Sequence, residues 1–297
     1  MESREGSRDC VSVRIRQEHR VTCAVVCIAS ETATQEQTRK VKIMKAALFL
    51  ILGFAATAVF AADYEREQRW AEQIMPAILI GDPIWIEQEN GHKFLAIYTE
   101  AEQARGAVIV AHGRGWNPDH DLYGFLRVKL AEQGYSTLSI QLPVLGSGAK
   151  IGDYIPTYPE ARERFRLSAQ FLQDRGYEDI AIVSHSLGAT MANQYLIHVR
   201  ETPVKAWVFV GIINGLEEMF RIKIPVLDVY GSRDWVITQV GAPERRKQIE
   251  KIEGSQQVVV KDALHFFEGK EDELVQVVIG FLDDLFVAGG SARAKTN

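Results

Sequence analysis

The chain has 297 residues, a net charge of −5 at pH 7 and a hydrophobic fraction of 46%. This length and composition fit one or two globular domains with a real core. The acidic balance, without a basic patch, argues against a nucleic-acid-binding protein.

A secretory signal is predicted near the N-terminus. An uncharged run of small and apolar residues extends from Ala46 to Ala62, and Val59-Phe60-Ala61 places small residues at the two positions that a signal peptidase reads. Basic residues precede this run: Arg39, Lys40 and Lys42. The order is typical of a signal peptide that starts at Met44 and is cleaved before Ala62. The alternative is an uncleaved membrane anchor, for which the run is short compared with a span of ~20 residues.

Residues 1–43 mix charged and polar side chains without periodicity. We interpret them as a leader outside the fold, upstream of a true start at Met44; an unusually long export leader is the alternative. All three cysteines lie in this leader: Cys10, Cys23 and Cys27. The chain from Ala62 onward can therefore form no disulfide and offers no thiol nucleophile. The first 61 residues carry nine Lys or Arg and six Asp or Glu, so their removal lowers the net charge to −8.

From Ala62 the sequence alternates between predicted strands and helices. Asn90-Gly91 between two short apolar segments is a hairpin signal, and continuous apolar runs such as Ala107–Ala111 are typical of buried parallel strands. The predicted strands are 84–86, 94–98, 107–111, 135–142, 180–183, 206–210, 225–230 and 257–260. The predicted helices are 64–75, 121–133, 159–175, 190–196 and 271–286.

This alternation predicts an α/β protein with a mostly parallel central sheet, an antiparallel hairpin at its start and helices on both faces. Only fourteen residues, 211–224, separate two late strands, which leaves no room for a large lid. The predicted organisation is a leader (1–43), a signal peptide (44–61), one α/β domain (62–287) and a disordered tail (288–297).

A serine stands at the junction between an apolar strand and a helix. Ser186 has small residues two positions before and after it, Ser184 and Gly188, as a sharp strand–turn–helix requires. This context predicts a nucleophile elbow, which lifts the hydroxyl towards a base. Ser184 as the nucleophile would leave Gly188 at the wrong spacing. His185, beside Ser186, is interpreted as a packed or capping residue rather than as the base.

Two loops after later strands carry the partners that a serine nucleophile needs. Asp234 follows the strand 225–230, and His265 follows the last strand. Sites in open α/β sheets form at the carboxyl ends of strands, so these side chains are expected to meet Ser186. We predict Ser186 as nucleophile, His265 as base and Asp234 as the residue that orients the base. Asp228 and Asp262 remain alternative acids.

The predicted oxyanion hole consists of backbone amides. One is the amide of Leu187, directly after the nucleophile, and the other comes from the glycine-containing loop after the third strand, with Arg114 first and Gly115 next. The Arg114 side chain is expected to brace this loop through an ion pair, with reading of a substrate anion as the alternative. Trp116 and Trp235 neighbour the catalytic loops and are candidates to line a substrate pocket; filling the core is the alternative.

These motifs resemble the α/β-hydrolase superfamily over about Ile84 to Phe286. The matching segments are Ala111–Gly115, Ser184–Ala189, Tyr230–Asp234 and His265-Phe266. His112–Gly115 with Pro118-Asp119, together with Thr137–Pro143, resembles a bacterial exported branch of unknown function. The resemblance implies the fold and a hydrolytic apparatus but no particular substrate. Ser184 stands where the superfamily usually has glycine.

The function that we predict is a secreted serine hydrolase that cleaves a small ester, thioester or related acyl substrate through an acyl-enzyme. It is expected in the periplasm or outside the cell, without a stable membrane span after signal cleavage. The alternative is a non-catalytic envelope binding protein on the same scaffold, and a peptidase ranks below both. We predict no cofactor and no metal, because the neighbouring Asp119, His120 and Asp121 point in different directions at a helix start.

Overall fold

The chain divides into two compact units, Met1–Val59 and Phe60–Asn297. The computed structural model describes residues 10–17, 20–27, 62–213 and 215–288. In the first unit, β1 (Cys10–Gln17) pairs antiparallel with β2 (Arg20–Cys27). No strand or helix was predicted there from the sequence. The predicted signal peptide (44–61) and most of the predicted tail (289–297) lie outside the described residues, so both stay predictions.

The second unit is built on an eight-stranded sheet. Its strands are β3 (Asp82–Glu87), β4 (Lys93–Thr99), β5 (Ala107–Ala111), β6 (Ser136–Ile140), β7 (Ile180–His185), β8 (Val204–Val210), β9 (Val226–Gly231) and β10 (Gln256–Val260). Their order is β10-β9-β8-β7-β5-β6-β4-β3. All neighbours are parallel except the two pairs that contain β4. The mostly parallel sheet with a hairpin at its start is therefore confirmed.

Helices cover both faces of this sheet, as predicted. They are α1 (Tyr64–Ile74), α2 (Leu122–Glu132), α3 (Tyr158–Asp174), α4 (Leu187–His198), α5 (Val236–Ile249) and α6 (Glu271–Asp283). Successive residues of a strand face opposite sides, so Ile109 and Val110 of β5 belong to two different core clusters. Phe165 of α3 packs in the first cluster and Leu126 of α2 in the second.

Short helical segments connect some of these elements. They are the 3₁₀ helices Met75–Ala77, Ile151–Thr157 and Met219–Arg221 and a π turn, Asp284–Ala288, after α6. The link from β8 to β9 runs from Gly211 to Pro225 and holds only one of them, so the described residues form no lid domain. Within the same part of the chain, no helix has the length and apolar character needed to cross a membrane.

Helix α5 was not predicted from the sequence. A surface helix normally buries an apolar stripe and exposes polar residues. In α5 the buried stripe contains Thr238 and Arg245, whereas Val236 and Val240 are exposed. Burial of Arg245 is possible because its Nε lies 2.8 Å from the carboxylate of Asp228 on β9. Because polar residues are buried and apolar residues are exposed, the periodicity of the sequence does not indicate a helix here.

Candidate active site

Ser186 lies at a strained turn between β7 and α4. Its backbone has φ 54° and ψ −121°, a region that residues other than glycine rarely adopt. A methyl group at Gly188 would lie 2.3 Å from the carbonyl oxygen of His112, so this position accepts only glycine. The local sequence therefore produces the sharp elbow that was predicted from its small residues.

Ser184, where a glycine was the expected residue, has a structural partner. Its side chain is fully buried, and its hydroxyl accepts a hydrogen bond of 2.9 Å from the indole N–H of Trp207 on β8. The same hydroxyl donates to the carbonyl of Val208 at 3.3 Å. Serine at this position thus satisfies a donor that would otherwise be buried without a partner.

The structure brings the three predicted catalytic side chains into one hydrogen-bonded line. His265 Nε2 lies 3.1 Å from Ser186 Oγ, and His265 Nδ1 lies 2.7 Å from Asp234 Oδ1. All three residues are at most 5% exposed. Asp234 Oδ1 also accepts the backbone N–H of Trp235 at 2.6 Å. Asp234 Oδ2 is buried without a donor in the described part of the chain, which leaves the imidazole as the main partner of this carboxylate.

The alternative acids lie elsewhere. Asp228 is held by Arg245 and also accepts a hydrogen bond of 2.8 Å from Gln257. Asp262 is exposed, and its backbone N–H donates to Ser232 Oγ. Of the three candidate aspartates, Asp234 is the one that contacts the imidazole.

The two backbone amides that were predicted to form an oxyanion hole have no acceptor among the described residues. Leu187 is the first residue of α4, so its N–H has no acceptor within the helix. Between residues 62 and 213 and between 215 and 288, neither this amide nor that of Arg114 donates a hydrogen bond. A methyl group at Gly113 would lie 3.3 Å from Ser186 Cβ, so the Arg114 loop passes against Ser186. Gly115 follows at φ 74°, and its carbonyl accepts from Arg66 at 3.3 Å.

His112 secures the loop that carries these amides. Its Nδ1 lies 2.7 Å from the Gly113 carbonyl, to which it donates, and its Nε2 accepts the Leu142 N–H at 2.9 Å. Burial lowers the pKa of His112 to about 3, which keeps the ring neutral. The loop is thereby fixed to the segment that follows β6.

Comparison with solved structures supports this geometry at the level of the fold. A protein of unknown function from Agrobacterium tumefaciens, described as an α/β hydrolase, is 16% identical with a TM-score of 0.57, covering 70% of this chain and 97% of that one. A lidless α/β serine hydrolase from Xanthomonas campestris is 14% identical with a TM-score of 0.57, covering 70% and 96%. The esterase Pf2001 of Pyrococcus furiosus is 16% identical with a TM-score of 0.57, covering 73% and 96%.

The chain has the α/β-hydrolase fold. This confirms the fold class that the sequence resemblance implied. A family model described as a protein of unknown function, DUF3530, matches residues 20–154. The comparison with curated proteins gives no match.

A series of buried hydrogen bonds links the Ser186 turn of this α/β-hydrolase fold to two of its loops. Tyr123 Oη accepts the Gly113 N–H at 2.9 Å and lies 2.9 Å from His185 Nδ1, and His185 Nε2 lies 2.9 Å from the His265 carbonyl. Because a carbonyl only accepts, His185 Nε2 donates and Nδ1 accepts from Tyr123. Burial lowers the pKa of His185 to about 3, so this ring is a neutral bridge between loops.

Aromatic rings surround the imidazole of His265. Trp235 is 47% exposed and stacks on it with ring centroids 3.6 Å apart, and Phe266 lies edge-on at 5.1 Å. Trp116 meets the Phe266 ring edge-on at 6.3 Å and stacks on His120 at 3.7 Å. An open cavity of about 560 Å³ borders Trp116 and Phe266. The structure thus places Trp235 against the His265 ring and Trp116 against the Phe266 ring.

Two residues of the site, Arg114 and Gly211, differ from what was predicted. The exposed Arg114 side chain was expected to form an ion pair, but its Nη1 donates to the Ala149 carbonyl at 3.0 Å. Gly211 was not among the predicted site residues. A methyl group at this position would lie 3.2 Å from both Asp234 Oδ2 and His265 Nδ1. Its position directly after β8, at a strand end, was the available signal. Across the described segments, no cluster of three His, Cys, Asp or Glu side chains could hold a metal.

Proposed function

We propose that this protein is a serine hydrolase that cleaves a small ester or related acyl substrate through an acyl-enzyme. The observation that carries the proposal is the line from Ser186 Oγ through His265 to Asp234, with separations of 3.1 and 2.7 Å. Such a line activates a serine hydroxyl, because the imidazole can take its proton as the oxygen attacks.

The reaction proceeds in two halves. Ser186 Oγ attacks the substrate carbonyl while His265 Nε2 accepts the hydroxyl proton, and the amides of Leu187 and Arg114 bind the developing oxyanion. Collapse of this intermediate breaks the bond to the leaving group, which takes the proton from His265. Water then attacks the acyl-enzyme with His265 as base, releasing the acid and restoring Ser186.

The surroundings of His265 favour the positive charge that the ring gains in each half. Asp234 presents a buried carboxylate whose second oxygen has no donor in the described chain, so the imidazolium compensates its charge. Trp235 lies parallel to the other side of the ring at 3.6 Å, where its π face attracts a cation. A non-catalytic binding protein would have no use for this arrangement or for the strained φ of Ser186.

The decisive experiment is labelling by a fluorophosphonate probe, with turnover of a short-chain ester alongside. Ser186→Ala is expected to lose probe labelling. Its rate of ester hydrolysis should fall by at least about 10⁴-fold, because the triad acts as a unit. Ser147→Ala, an exposed serine on the segment after β6, is the control and should label fully. Full labelling of Ser186→Ala with a native melting curve would disprove the assignment.

We also propose that the protein is exported to the periplasm or the cell exterior. The support is the basic, apolar and small-residue order from Arg39 to Ala61. Protein exported by a bacterial host should begin at Ala62 in mass spectrometry. A chain that retains Ala46–Ala61 would instead be anchored, and one that begins at Met1 would contradict a start at Met44.

A further inference from the structure

The most exposed apolar surface near the site is the start of α5. We call it the α5 tip: Trp235, Val236, Ile237 and Val240, joined by Leu264 from the neighbouring loop. These side chains are 47%, 75%, 59%, 74% and 42% exposed, respectively. Monomeric soluble proteins rarely leave contiguous apolar surface uncovered without a functional reason.

The α5 tip adjoins the catalytic side chains through both loops that carry them. Trp235 follows Asp234 directly and stacks on the imidazole of His265 at 3.6 Å. Leu264 precedes His265 in the chain. A partner that covers the α5 tip is therefore held beside the base that serves Ser186.

The first and second halves of α5 differ in charge. From Trp235 to Pro243 the chain has no charged side chain. The exposed charges begin at Glu244 and continue with Arg246 and Lys247, which form ion pairs with neighbours on the same helix. One half of the exposed face thus suits an apolar medium and the other half suits water.

We propose that the α5 tip docks on a lipid surface and that the acyl substrate is drawn from this surface. The inference deepens the proposed function and rests on it for the chemistry. The acyl region of a lipid layer offers neither charge nor hydrogen bonds, which matches the charge-free turn, while the charged half of α5 stays in water. The amphipathic indole of Trp235 suits the boundary between the two.

The test measures co-sedimentation with phosphatidylcholine vesicles. It uses the chain from Ala62 to Asn297, which contains the whole eight-stranded sheet and both core clusters, and which carries Ser186→Ala so that no lipid is consumed. We expect binding that is insensitive to salt, because the α5 tip carries no charge. The further change Val236→Ser with Val240→Ser should weaken binding at least about tenfold, because two exposed valines no longer enter the lipid.

The matched control is Phe220→Ser, which removes a 73% exposed ring from the link between β8 and β9. It should bind vesicles as the parent does. Absence of vesicle binding by the parent, or equal loss in control and double variant, would overturn the proposal. So would a dimer in sedimentation velocity that the double variant dissociates, because a second copy would then cover the α5 tip.

A separate measurement keeps the two proposals apart. With Ser186 restored in both chains, the Val236→Ser, Val240→Ser variant should react with the fluorophosphonate probe and a soluble short-chain ester as the chain with both valines does, because neither valine belongs to the catalytic machinery. Absence of probe labelling in the chain that has Ser186 and both valines would refute the hydrolase and leave the vesicle result standing. Normal labelling without vesicle binding would refute only the docking.

Discussion

The indole of Trp235 lies nearly parallel to the imidazole of His265, with ring centroids 3.6 Å apart and an angle of 15° between the planes. An aromatic face against a ring that becomes a cation is worth about 0.5–2 kcal/mol. We therefore predict that Trp235→Ala lowers kcat on a soluble short-chain ester by about tenfold, whereas Trp235→Phe keeps most of the rate. Trp85→Ala on β3, where the ring is 40% exposed, is the control and should leave kcat unchanged.

The aspartates of β9 and its following loop should separate catalysis from stability. Asp234→Asn is predicted to lower turnover by about 10⁴ while the fold is retained, because the amide cannot hold the required histidine tautomer. Asp228→Asn should keep its rate but lower the free energy of unfolding by about 3 kcal/mol, since Arg245 would lose its buried counter-ion. Ester hydrolysis and thermal melts measure the two effects. An Asp228→Asn variant with strongly reduced turnover and normal stability would contradict this assignment of roles to the two aspartates.

The phenol of Tyr123 should matter to both stability and rate. Tyr123→Phe leaves the Gly113 N–H and His185 Nδ1 without their buried partner, which we predict to cost about 1–3 kcal/mol in the free energy of unfolding. Because the hydrogen bonds through Tyr123 and His185 fix the loops on both sides of Ser186, kcat should also fall, on the order of tenfold. Tyr195→Phe is the matched control: it loses a partly buried hydrogen bond to Thr202, in the link between α4 and β8, and should change stability alone.

Stability is predicted to fall in mild acid. Burial lowers the pKa of His112 and of His185 to about 3, whereas an unfolded chain binds these protons near pH 6.5. Their neutral forms therefore stabilise the fold fully above about pH 6.5, and this contribution is lost progressively as the pH falls towards 3. The slope is up to about 1.4 kcal/mol per pH unit for each ring.

Denaturant titrations between pH 7 and 4 test this dependence. His112→Asn and His185→Asn should each have a shallower slope than the parent, even though both start from lower stability. His198→Asn changes an exposed ring on α4 and should keep the parent slope. Equal slopes in all four proteins would mean that other groups control the acid sensitivity.

Much of the sheet could be predicted from the sequence because its strands are buried on both faces. Ala107–Ala111 and Ile180–Val183 are continuous apolar runs, and such runs have few other interpretations when turn residues bound them. The placement of Asp234 and His265 followed from the same logic, since both stand on loops that leave the carboxyl ends of neighbouring strands.

What the sequence could not predict depends on partners far away in the chain. Arg245 can face the core only because Asp228 lies on the adjacent strand, and that pairing concealed α5. Ser184 gave no sign of Trp207, and Tyr123 gave none of His185, because each contact joins different elements. The bond from Arg114 to Ala149 likewise depends on how two loops meet.

The two small residues that flank the nucleophile differ in what could replace them. At Gly188 even a methyl group collides with the backbone of His112, whereas Ser184 has room for a hydroxyl that binds Trp207. Sequence searches that demand glycine at both places would pass over this chain. A pattern that fixes the second glycine, admits serine at the first and asks for tryptophan on the following strand would find proteins that share this solution.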